Sequence, residues 1–183
     1  MLPYSMSRIS IPAVANAVRK VRAMDIKQKE KLVDAVFLEQ PNMLAAVLVL
    51  PRFGVSMAKL DFLIDLLLIC FQSMKESGQA WPVISEDGQE RQMQRCVATA
   101  KFSEDLSPTL QDQAVRQYID DHPEKALLAY VQTEVVQWMA RIVPEESDKF
   151  VMLAATTLVN CIAYAPMPLA SSTPSRRATG KSI

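Results

Sequence analysis

The chain has 183 residues, half of them apolar, and its 20 basic side chains balance 20 acidic ones. That length suits a single domain with a real core, and the charge balance excludes a strong net field toward a polyanionic or polycationic partner. Four glycines, one histidine and three cysteines leave too little for glycine-rich phosphate loops, a self-contained zinc module or a disulfide scaffold.

From the N-terminus, residues 1–11 read as a flexible lead. Arg8, Arg19, Lys20 and Arg22 interrupt the apolar residues that follow, so no secretory signal is expected. Apolar residues then recur at helical spacing in Val14, Val18 and Val21, and again in Ile26, Val33 and Phe37. Later stretches continue the pattern with Leu110, Ala114, Tyr118 and Ile119, then with Leu127, Val131, Val135, Trp138 and Ile142. Good helix formers fill the positions between, and sustained strand-type alternation is scarce.

Prolines punctuate this pattern. Pro12, Pro41, Pro108, Pro123 and Pro144 stand where helices should begin, since a first-turn residue has no N–H to lose. Pro51 with Gly54 breaks one helix. Gly78 and Pro82, then Asp87 and Gly88, mark the longest interior loop. The spacing predicts helices over 12–23, 26–39, 42–50, 56–76, 89–102, 108–121, 124–142 and 146–165. The fold class expected is therefore all-α, a bundle of about seven to eight helices over residues 12–168. The Ser/Thr-rich, basic stretch 169–183 reads as a disordered tail.

Two stretches are strongly apolar. Residues 60–71 contain Asp61 and Asp65 and fall short of the roughly 20 apolar residues that span a bilayer. Residues 150–170 are uncharged, yet Thr156, Thr157, Asn160, Pro166 and Pro168 interrupt them. Both read as core helices, with no membrane partner. Three dispersed cysteines fit reduced thiols in a cytoplasmic protein.

An internal similarity runs through the chain. Residues 29–50 lie on 111–132 without a gap, placing Pro41 on Pro123, Val33 on Val115 and Phe37 on Ile119. Each copy leads into an apolar helix carrying a cysteine, Cys70 or Cys161. This suggests pseudo-repeated halves, 12–80 and 89–165, although any two helix–Pro–helix junctions share some of these features.

Candidate chemistry is sparse. His122 sits among Asp120, Asp121 and Glu124, but no second histidine exists to complete a common metal site, and the group reads as a solvated turn with an acidic helix start. Asp61 and Asp65 share a helix face and read as a thin exposed stripe paired with Lys59 or Arg52. Cys70 and Cys161 are embedded in apolar residues and should be inert, whereas Cys96, on a polar helix, reads as the more reactive thiol. No catalytic, metal or cofactor-binding residues are assigned, and no cofactor is expected.

Charge is unevenly placed. Residues 1–31 hold seven basic residues against Asp25 and Glu30, while 104–148 hold ten acidic residues against Arg116, Lys125 and Arg141. The two regions can attract each other within the fold. Alternatively Arg19, Lys20, Arg22, Lys27, Lys29 and Lys31 face nucleic acid in a regulator, although no recognised nucleic-acid motif accompanies them. The leading expectation is a non-enzymatic protein-interaction domain of adaptor, chaperone-like or regulatory type, whose partner is another protein or a second copy of the chain.

Overall fold

A computed structural model describes residues 7–104 and 106–166. The protein is all-helical, with no strand among the described residues, as the periodicity predicts. Its helices are α1 (Ile11–Ala23), α2 (Ile26–Glu39), α3 (Pro41–Leu48), α4 (Met57–Glu76), α5 (Glu86–Glu104), α6 (Pro108–Asp120), α7 (Lys125–Met139) and α8 (Asp148–Ala163). A short 3₁₀ turn, Leu50–Phe53, follows α3 and ends at Gly54, whose φ of 84° suits a residue without a Cβ. The expected tail, 169–183, lies outside the described residues.

Local chemistry sets the helix starts. The Ser10 hydroxyl accepts the Ala13 N–H at 3.3 Å, with Pro12 in the first turn of α1. Asp25 and Gln28 form a reciprocal capping box at the start of α2. The Ser85 hydroxyl accepts the Gly88 N–H at 3.1 Å, so α5 starts three residues before the expected position. Asp87 and Gly88, expected in a loop, are in its first turn because a capping serine precedes them.

Helices α4 and α8 lie against each other at the centre. Leu63, Leu66, Leu67, Leu68, Cys70 and Phe71 of α4 are buried, as are Val151, Ala155, Leu158, Val159, Cys161 and Ile162 of α8. Burying one such large side chain contributes about 1.5–3 kcal/mol, so these two helices dominate the apolar core. Helix α1 packs on α4 and α5 packs on α8. Trp138 of α7 stacks on Phe62 of α4 with ring centroids 4.7 Å apart.

Two of the amphipathic readings need correcting. In α2 the inward positions are Leu32 and Val36, while Ile26 and Phe37, expected on the core face, are exposed. Helix α6 has no fully buried residue; Leu110 is exposed, and the helix rests on its half-buried Tyr118 and Ile119. Periodicity finds the apolar stripe but not whether another element covers it.

No single helix among the described residues is long and apolar enough to cross a membrane. Helices α2 and α3 reach that length only jointly, and the chain bends by 115° between them.

At both Pro junctions buried polar side chains clasp an extended segment. Gln40 is 2 % exposed; its side-chain oxygen accepts the Ile84 N–H at 2.9 Å and its amide donates to the Pro82 carbonyl at 2.8 Å. Asn42 donates to the Ile84 carbonyl at 2.9 Å. Glu124 is 1 % exposed and receives the backbone N–H groups of Arg8 and Ile9, each at 3.0 Å, and the Ser7 hydroxyl at 2.6 Å. The clasped segments lead into α5 and α1 respectively. Residues 7–11, expected as part of a flexible lead, are thus tied into the fold from Ser7, with Ile9 fully buried.

Candidate functional site: a buried polar hub beside an apolar groove

His122 is buried, contrary to the expectation of a solvated turn, because the turn carrying it folds over α8. The Glu124 backbone N–H donates to His122 Nδ1 at 3.1 Å, so Nδ1 carries the lone pair and Nε2 the proton. Nε2 then donates to Asn160 Oδ1 at 2.9 Å, which also accepts the Tyr118 hydroxyl at 3.0 Å. Asn160 Nδ2 donates to Cys96 Sγ at 3.1 Å. Burial holds the His122 pKa below its ordinary value, with the hydrogen bond to Asn160 acting against that shift.

Cys96 is also buried, which corrects its reading as the reactive thiol. Burial raises its pKa, with the neighbouring Thr157 and Asn160 partly opposing the rise. Asn160 stands between the sulfur and the histidine and bonds to both, so the cluster is a hydrogen-bonded hub centred on its amide. A cysteine activated by direct contact with its base has a different geometry. Burial pushes Cys70 and Cys161 up to about 12. All three thiols are free.

The acidic pair on α4 separates. Asp61 is exposed, and Asp65 pairs with Lys29 at 2.7 Å, so neither Lys59 nor Arg52 is its partner. Lys59 is buried instead against Asp148 and Glu145, the latter at 2.7 Å, where it joins α4 to the start of α8. Among the described residues no group of three or more His, Cys, Asp or Glu is placed to hold a metal ion.

The basic N-terminal residues disperse. Lys20 pairs with Glu76 at 2.6 Å, Arg22 with Glu134 at 2.8 Å and Lys29 with Asp65 at 2.7 Å. Arg8 pairs with Glu124 at 3.2 Å and donates to the Ile162 and Ala163 carbonyls at the end of α8. Arg19, Lys27 and Lys31 are exposed. Part of the charge asymmetry is therefore consumed inside the fold, where Arg8 and Arg22 reach the acidic region.

An apolar groove of about 560 Å³ lies between α3 with its following turn, α5 and α8. Val47, Leu50 and Phe53 form one wall, Met93 of α5 another, and Phe150 and Leu153 of α8 the floor. Phe53 and Met93 are 54 % and 44 % exposed, so the groove opens widely to solvent. Glu86, Gln89 and Glu90 edge it on the α5 side. The sequence does not mark this groove, because its walls come from three separate helices, two read as apolar and α5 read as polar.

No protein-family model matches the chain, and no curated protein or solved structure matches it either.

Proposed function

We propose that the protein is a non-enzymatic interaction domain of adaptor or regulatory type, cytoplasmic with its thiols reduced, which binds a partner protein through the groove between α3, α5 and α8. The groove itself carries the reading. An exposed apolar concavity of about 560 Å³ is costly to leave in water, and its rim holds large side chains that protrude rather than close over it. A small ligand is usually enclosed over most of its surface, whereas an open groove with a flexible methionine at the lip suits the apolar face of a partner helix. At the Asn160 hub the polar groups of His122, Tyr118 and Cys96 are engaged with one another, whereas the groove presents its apolar lining to solvent.

A photo-crosslinker placed at Met93 tests this. The partner it captures should be lost when Ala154→Trp fills the groove floor and retained when Val136→Lys alters the exposed face of α7. Equal capture by both variants, each shown to be folded by circular dichroism, would remove the groove from consideration.

A further inference from the structure

The two rims of the groove differ in charge. On the α5 side, Glu86 and Glu90 stand one helical turn apart on the same face and both border the groove. Glu90 accepts a neutral amide hydrogen bond from Gln94 at 3.1 Å, and no ion pair holds either carboxylate among the described residues.

The α3 side and the floor carry no charge: Ala46, Val47, Leu50 and Phe53 on one, Phe150 and Leu153 on the other. A partner helix lying in the groove therefore meets negative charge along one flank only.

Resting on the groove reading, we propose that the occupant is an amphipathic helix whose apolar face is bordered on one side by lysine or arginine, spaced one turn apart to face Glu86 and Glu90. The apolar face supplies affinity by displacing water from Phe53, Met93, Phe150 and Leu153. The cations fix which way the helix lies and exclude acidic competitors, the usual contribution of charges at an interface rim. A helix with acidic residues on that flank would set like charges beside two carboxylates that lack compensation.

Two synthetic peptides of about 20 residues test this, long enough to fold on the surface. They share one leucine-rich face and differ only in carrying lysine or glutamate along one flank. Fluorescence anisotropy at low salt should show the lysine peptide binding the full-length protein roughly tenfold tighter than the glutamate peptide. Glu86→Gln with Glu90→Gln should bring the two affinities to within about threefold, and added salt should do the same. Ala154→Trp, or Ala46→Trp from the opposite wall, should abolish binding of both. Equal affinity of the two peptides for the wild-type protein, or a preference that survives the double substitution, would overturn the charge assignment. Loss of binding in the tryptophan variants would then still support the groove. Failure of both peptides to bind, or binding indifferent to the tryptophans, would overturn the groove reading with it.

Discussion

Arg8 and Glu124 meet twice: the Arg8 backbone N–H donates to Glu124 Oε1 at 3.0 Å, and the Arg8 guanidinium returns to the same oxygen at 3.2 Å. The guanidinium also reaches the Ile162 and Ala163 carbonyls, the unpaired end of α8. One buried carboxylate thereby ties the entry to α1 and the start of α7 to the last turn of the central helix.

Removing that carboxylate should release the N-terminal segment. Glu124→Ala leaves two amide groups without their acceptor and takes one partner from the Ser7 hydroxyl and one from the Arg8 guanidinium, and a loss of about 2–4 kcal/mol is expected. Hydrogen exchange at the Arg8 and Ile9 amides should accelerate by at least about tenfold, while Glu124→Gln, which keeps an acceptor, should lie between the two. Unchanged exchange at both amides in the alanine variant would show that the clasp does not hold the segment.

The single histidine makes a second expectation specific. Unfolded, His122 titrates near 6.5; folded, burial lowers that value. Below about pH 6.5 the unfolded chain takes up a proton that the folded chain refuses. Stability is therefore complete above that pH and declines as pH falls toward the folded value, with a slope of up to about 1.4 kcal/mol per pH unit. Carboxylates held low, such as Glu76 with Lys20, lose their contribution only at lower pH, beneath this window. Urea midpoints should fall in the wild type as pH is lowered from about 7 to 5 and stay nearly flat in His122→Gln. Identical slopes in the two proteins would contradict the buried neutral imidazole.

Lys59 and Asp148 should behave as a coupled pair. Burial alone would push the Asp148 carboxyl up, but the Lys59 ammonium and the Glu145 backbone N–H outweigh it and hold the carboxyl below its ordinary value. Lys59→Met should leave the carboxylate without its cation and lower the melting temperature, as Asp148→Leu should by leaving the ammonium only the largely exposed Glu145. The double substitution should melt above at least one of the single variants, because two apolar side chains can pack where one unpaired ion cannot. Strictly additive losses across the cycle would show the two groups to be uncoupled.

The helices were legible in the sequence because proline, capping serine and apolar period agree at most boundaries. The exception, the start of α5, depends on Ser85 overruling Asp87 and Gly88, a competition that single-residue tendencies do not resolve. The buried hub was hidden for a different reason. His122 and Glu124 have the local sequence of a solvated junction, and only the arrival of α8 and of residues 7–9 removes them from water. Asn160 gave a faint signal as an amide within an uncharged apolar run, since such a residue must find partners when its helix is buried. Charge asymmetry was visible, but which base meets which acid depends on helix order: Arg22 reaches Glu134 only because α1 and α7 are neighbours.

Thiol reactivity gives the last expectation. Cys70 and Cys161 are enclosed in the core and pushed up to about 12, which suppresses the thiolate at neutral pH. Cys96 lies on a polar helix, yet its sulfur faces Asn160 and only 8 % of the residue is exposed. A colourless disulfide reagent that releases a coloured thiol should therefore titrate none of the three quickly in native buffer and all three in denaturant. Cys96, which lies on a polar helix and whose rise the Asn160 amide opposes, should be the first to react when the fold is loosened by moderate urea. Asn160→Leu removes the amide that donates to the sulfur and leaves the His122 Nε2–H and Tyr118 hydroxyl unpaired, so it should destabilise the region by about 3 kcal/mol. Labelling of Cys96 should then run well ahead of Cys70. Rapid native labelling of Cys96 in the wild type would mean that α5 does not cover its thiol, and equal labelling of all three in Asn160→Leu would mean that the hub opens only when the whole core unfolds.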